Sequence, residues 1–193
     1  MTPLEYFDAS FRDDAWHLQL PTDIHGAFGG VTGGALAAAS IALGRTVEPS
    51  RVAAGIDIHF LRGLSTTQAK VQVTTLSSGR SLTILRVEFS DASEKPTTEA
   101  RVAFAAPETL RTDIQATNHD GGLLGPPSAD LSAHAKPWRK PEGVEVPIID
   151  TAHPRAARVG TSIATLVTIP WAATHDGSEG SCLAADLSVG PPV

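Results

Sequence analysis

The sequence predicts an α+β fold in which an antiparallel sheet wraps around one buried helix. Three observations predict it. The stretch Val31–Leu43, VTGGALAAASIAL, has helical composition and almost no polar residue, so it offers no face to solvent and must be covered on most sides. Four later runs alternate apolar and polar residues with period 2, the mark of half-buried strands. Clusters of turn-forming residues separate those runs.

In chain order, Ala15–Leu20 is a short strand that ends at Pro21 and leads into the loop PTDIHGAFGG, whose glycines permit tight turns. The apolar helix follows, its Gly and Ala residues allowing a sheet to approach closely, and Gly44 or the Thr46–Pro49 segment ends it. The strands are then Ala54–Leu61, Ala69–Leu76, Ser81–Phe89 and Glu99–Ala105. Val71 and Val73 share one face, as do Leu85, Val87 and Phe89, and Val102 and Phe104. Ser77-Ser78-Gly79 and Asp91–Pro96 supply hairpin turns. Strand, buried helix and four antiparallel strands together describe the hot-dog arrangement.

Residues 1–107 thus form one expected domain. Residues 108–157, with GGLLGPPS, KPW and KPEG and little periodicity, read as a linker or extended segment. A strand pattern returns at Arg158–Trp171, then a turn at Asp176-Gly177 and a short helix, Glu179–Ser188, so 158–193 is expected to be a partial second hot-dog unit.

Composition narrows the function. A hydrophobic share of 41% with 19% charged residues suits a folded chain. A net charge of −6 with no basic run argues against a nucleic-acid partner. The lone Cys182 has no intramolecular disulfide partner, and no Cys/His spacing resembles a metal site, so no metal is expected. The first residues lack a basic stretch followed by an apolar one, and no run reaches about 18 apolar residues, which predicts a cytoplasmic protein with no membrane partner.

Four motifs in order carry a resemblance: Phe28-Gly29-Gly30 before the alanine-rich helix, Ala37-Ala38-Ala39 within it, His59-Phe60-Leu61-Arg62-Gly63 at a strand end, and Gly79-Arg80-Ser81 in a turn. Over about residues 14–107 the chain resembles the TesB-like acyl-CoA thioesterases, which are double hot-dog proteins. The resemblance implies an acyl-CoA ligand and no further cofactor. It also fits a physical reading of the glycine turn. Unpaired N–H groups at a helix N-terminus lie at the positive end of the helix dipole and can polarise a carbonyl. Gly29, Gly30 and Val31 are the candidate substrate-binding residues there, unless the glycines merely form a tight turn. Gly79, Arg80 and Ser81 are candidates for a CoA phosphate, unless Arg80 is simply a solvated turn residue. His59 reads as a hydrogen-bonded structural histidine rather than a base, and His25 as a loop histidine that either lines the site or is merely exposed.

Single hot-dog thioesterases commonly carry a carboxylate on the central helix, and the stretch Ala35–Ala39 has none. In the resembled family it comes from the second unit, on a helix with an L-A-x-x-S-D type sequence. Cys182-Leu183-Ala184-Ala185-Asp186 looks like that helix, which makes Asp186 the catalytic candidate, with an ordinary exposed helix aspartate as the alternative. The family's Thr and Gln partners have no counterpart in this chain. A half-built second unit must pack on the first or on another subunit, so a homo-oligomer is expected. The expected function is hydrolysis of fatty acyl-CoA to free acid and CoA, with a non-catalytic acyl-CoA-binding or structural hot-dog subunit as the alternative. A hot-dog hydratase is disfavoured, because His153-Pro154 does not make an N-P-x-H loop.

Overall fold

The structure, a computed structural model, describes residues 1–110, 129–140, 142–159, 162–174 and 176–188. The described residues contain two antiparallel sheets, five α-helices and two single turns of 3-10 helix. A capped turn of helix, α1 (Pro3–Tyr6), leads into a hairpin of β1 (Ser10–Arg12) and β2 (Ala15–Gln19). Asp13 and Asp14 make its two-residue turn, both at positive φ, as the twist of a tight hairpin requires. β1 has three residues, all exposed, and therefore no alternation to betray it in sequence.

The long helix α2 runs over Gly33–Val47, and every residue from Gly34 to Gly44 is buried. Gly44 does not end it. A Cβ there would lie 2.5 Å from Phe104 Cε2, so the glycine lets the helix sit directly on the sheet. Around it come β3 (Val52–Phe60), β4 (Gln68–Ser78), β5 (Leu82–Ser90) and β6 (Pro96–Ala105). The sheet order is β1-β2-β4-β5-β6-β3, all antiparallel. Register places Val71 opposite Phe89, Val73 opposite Val87, and Leu85 opposite Val102. These side chains form the inner face, with Val71, Leu85, Val87, Phe89, Val102 and Phe104 fully buried against α2 and only Val73 half-buried. The fold is the α+β hot-dog expected.

The C-terminal part departs from expectation in detail. Within 108–157 the GGLLGPPS run lies outside the described residues, but α3 (Ala129–His134), β7 (Lys136–Pro137) and α4 (Pro147–Ala152) are present. Ile148 and Ala152 join the same core as α2, and Ile148 N–H donates to His25 O (3.1 Å). These elements are too short, and too rich in proline, for periodicity to reveal them. Arg158–Trp171 is not one strand. β8 (Arg155–Val159) and β9 (Ser162–Leu166) form a hairpin, and Trp171 lies beyond it, packed on Tyr6 and Phe7 with ring centroids 5.5 and 5.6 Å away. Neither arm, RAARV or SIATL, alternates apolar and polar residues with period 2, so the sequence does not mark them as two strands. Helix α5 (Ser178–Ser188) then crosses α2 at Gly34.

Candidate active site

The start of α2 is chemically open. Its N-cap is Thr32, whose side chain makes no capping bond and whose buried Oγ1 has no partner. The first helical bond runs from Leu36 N–H to Thr32 O (3.2 Å), so Gly33, Gly34 and Ala35 keep N–H groups with no intrahelical acceptor. The preceding loop is more fully occupied than the sequence suggests. Gly29 N–H donates to Gly26 O, Val31 N–H to Leu64 O and Thr32 N–H to Ile24 O. Of Gly29, Gly30 and Val31, only Gly30 has an N–H that meets no acceptor among the described residues. Gly29 instead serves conformation, at φ +74, and a Cβ on Gly30 would press on Leu64 O at 3.3 Å.

A cleft of about 400 Å³ lies against this helix end. Val31 and Gly33 form one wall, Phe60, Arg62 and Leu64 at the end of β3 another, and Asp186 of α5 closes the third. Asp186 reaches it because α5 crosses α2 at a glycine. A Cβ on Gly34 would lie 2.7 Å from Asp186 Cβ and from Cys182 O, and 2.8 Å from Leu183 Cα. A Cβ on Gly33 would lie 3.4 Å from Asp186 Oδ1 and 2.8 Å from Phe60 Cζ. The carboxylate therefore stands beside the unpaired N–H groups, and no hydrogen bond to it is made by a described residue. The paired glycines Gly33-Gly34 were the sequence signal for this crossing. In an otherwise alanine-rich helix they mark a close approach.

The turn Gly79-Arg80-Ser81 is not brought to this cleft within one chain. It joins β4 to β5 at the end of the sheet where α2 finishes, next to Val52 through the register Val52–Ala105–Leu82. Phe60 is at the other end of β3, roughly 26 Å away at about 3.3 Å per residue. Arg51 Nη2 donates to Gly79 O (2.7 Å) and Arg80 O (3.4 Å), Ala106 N–H donates to Ser81 O (3.0 Å), and Arg80 is exposed. His59 is not a satisfied internal histidine. It is exposed on the edge strand β3, 3.5 Å from Asp57. His25 is buried rather than exposed, and its Nε2 lacks a partner.

A cluster that sequence reading missed holds α5 at its other end. Arg45, near the end of α2, donates from Nε to Glu179 Oε1 (2.6 Å) and from Nη2 to Asp176. Glu179 is fully buried and also accepts from Thr174 Oγ1. Asp176 accepts from the backbone N–H of Ser178 (3.1 Å) and of Ala53 (3.1 Å). Burial pushes the Asp176 carboxyl up, but the hydrogen bonds from Ser178 and Ala53 and the charge of Arg45 outweigh it and hold the pKa at about 2. Burial likewise opposes the charge of Arg45, and its two carboxylate partners overcome that and raise it. Burial, and then the Glu179 charge, push the Cys182 thiol up to about 11. Residues separated by more than a hundred positions carry no local signal of such contacts.

Residues 19–105 match the sequence family described as the acyl-CoA thioesterase N-terminal domain. No curated protein sequence matches the chain. Among solved structures, a conserved protein of unknown function with a hot-dog fold from Alicyclobacillus acidocaldarius is 17% identical with a TM-score of 0.59, covering 81% of this chain and 55% of its own. That share exceeds what residues 1–107 alone can supply, so the likeness in fold extends into the C-terminal part. A mutant thioesterase from Pseudomonas aeruginosa is 21% identical with a TM-score of 0.47, over 53% of this chain and 83% of its own. A Bacillus halodurans protein crystallised with CoA is 14% identical with a TM-score of 0.48, over 53% of this chain and 73% of its own. Among the described residues no helix is long and apolar enough to cross a membrane.

Proposed function

We propose that the chain binds acyl-CoA in the cleft at the N-terminus of α2 and hydrolyses its thioester. The observation that carries this reading is the carboxylate of Asp186 beside N–H groups that lack acceptors, in a cleft lined by Val31, Phe60 and Leu64. The match of residues 19–105 to an acyl-CoA thioesterase domain supports the substrate class. The thioester oxygen takes the N–H groups of Gly30, Gly33 or Gly34 as donors, which strengthen as negative charge develops on it. Asp186 takes a proton from water, and the resulting hydroxide adds to the carbonyl carbon. When the tetrahedral intermediate collapses, the C–S bond breaks and the CoA thiolate takes the proton held by Asp186. The products are the free acid and CoA, and the carboxylate is restored with no cofactor or metal.

Free-thiol release from a panel of acyl-CoAs tests the reading. Asp186→Asn should lower kcat by about a hundredfold or more, within the usual contribution of a general base, whereas the exposed Glu108→Gln should match the unaltered protein. Full activity in Asp186→Asn overturns it. A second reading, binding without turnover, is favoured by one observation. No described residue hydrogen-bonds Asp186, so among the described residues none takes the role of the Thr and Gln partners of TesB-like proteins. Calorimetric binding of an acyl-CoA with no thiol release selects that reading.

The finer reading is a TesB-like cytoplasmic oligomer. Among the described residues the last strand of the sheet, β3, pairs with no strand on its outer side, and it exposes Phe60 and Leu61 at its end, so a second copy has an edge to pair with. Such pairing also offers a way to bring the Gly79–Ser81 turn of one copy toward the cleft of the other. A monomer by light scattering at tens of micromolar protein overturns it.

A further inference from the structure

The helix that carries Asp186 is pinned to α2 at two points, and the second point lies far from the cleft. On α5, Glu179, Leu183 and Asp186 occupy positions i, i+4 and i+7, which is one face of a helix. That face meets α2 antiparallel. Glu179, near the start of α5, reaches Arg45 near the end of α2, while Leu183 and Asp186 reach Gly34 at its beginning. The Gly34 crossing sets how closely the helices approach, and Leu183 and Leu187 bury in the shared core, but these apolar contacts have no direction of their own. The ion pair adds directional contacts that oppose a roll or slide of α5. Arg45 meets Glu179 through Nε and Nη2 and meets Asp176 through Nη2, and Asp176 in turn holds the N-terminus of α5 and the backbone of Ala53 on β3. A roll of one residue turns α5 by about 100° and carries Glu179 off Arg45 and Asp186 out of the cleft together.

We infer that Arg45, Glu179 and Asp176 are positioning residues that set the rotation and slide of α5, and so place the Asp186 carboxylate at the N-terminus of α2. The inference deepens the hydrolytic reading and rests on it for its kinetic consequence. Its structural consequence is separate. The sole cysteine, Cys182, lies half-buried on the same helix with its carbonyl against Gly34, so its thiol reports whether α5 is docked.

The test measures kcat, KM and the rate of Cys182 modification by a disulfide reagent in the full chain. In Arg45→Met, kcat should fall about tenfold or more with KM within about threefold, the pattern of a lost transition-state arrangement rather than lost binding, and Cys182 should react several times faster. Arg45→Lys, which keeps the charge but not the two-pronged contact, should recover part of kcat. Thr174→Val removes a single bond to Glu179 and should shift both readouts the same way by less, which keeps the inference testable where Arg45→Met fails to fold. Unchanged kcat and thiol rate in Arg45→Met, with Asp186→Asn inactive, overturn the inference while leaving hydrolysis by Asp186 in place. Faster Cys182 modification in Arg45→Met with Asp186→Asn fully active supports the docking role and removes the hydrolytic reading instead.

Discussion

Asp186 of α5 rests on Gly34 of α2 so closely that a Cβ on the glycine would fall 2.7 Å from the Cβ of the aspartate. Two other atoms of α5 crowd the same point, Cys182 O and Leu183 Cα, and both belong to backbone. Gly34→Ala therefore has no flexible side chain to displace and must push the helices apart. It should destabilise the fold by about 1–3 kcal/mol, as overpacking does, and lower hydrolytic activity through Asp186. Denaturant unfolding and thiol release measure the two effects, and an alanine variant as stable and active as the parent contradicts this packing.

Gly29 offers a contrast, because nothing lies within 4 Å of its would-be Cβ, while its φ is +74. The cost of Gly29→Ala should thus be purely conformational, about 1–2 kcal/mol for an L-residue in the left-handed region. Its N–H is already bonded to Gly26 O and is not expected to touch substrate. Stability should fall while KM for acyl-CoA stays close to the parent value, and a large change in KM alone would return Gly29 to the binding site.

The Cys182 thiol, pushed up to about 11 by burial and by the charge of Glu179, should be almost wholly protonated at pH 8. Since the thiolate is the nucleophile, iodoacetamide should alkylate it far more slowly than a free cysteine at that pH. The rate should climb steadily up to the onset of alkaline unfolding. Glu179→Gln removes one cause of the shift and also loosens α5, so it should speed the reaction. Rapid modification of the unaltered protein at pH 8 contradicts the placement of α5.

Asp176 links stability to acid. Its folded pKa, about 2, lies below its ordinary value of 3.8. A depressed carboxyl contributes stability that is fully present above about pH 4 and is lost as pH falls through about 2. Tryptophan fluorescence should show the contacts of α5 weakening across that window. Asp176→Asn, which cannot titrate, should be less stable near neutrality and flatter from pH 4 to 2. An identical acid profile in both proteins contradicts the role of the Arg45 and Ser178 contacts.

Much of the first hot-dog was legible because its signals are local and repeated. The apolar run from Val31 to Leu43 has no solvent face, and the alternation in Leu85, Val87 and Phe89 has one strand's period. The two turns that separate β4, β5 and β6 carry glycine or aspartate where tight turns need them. The helix holding Asp186 was legible only as a short motif near a turn. The β8–β9 hairpin was hidden because neither of its arms alternates with period 2, and β1 because three exposed residues make no pattern.

From the chain alone came the buried helix, the strands that wrap it, the glycine turn before it and Asp186 as the candidate carboxylate. Only the tertiary structure decided which N–H groups at the helix start are unoccupied, that the Gly79–Ser81 turn lies at the opposite end of the sheet, and that Arg45 and Glu179 meet. The division has a physical reason. Periodicity and turn chemistry are written within a few residues of one another. Hydrogen-bond occupancy and ion pairing depend on which distant segments arrive at the same place, and for Asp186 that arrival is made possible by Gly34, a residue with no side chain in the way.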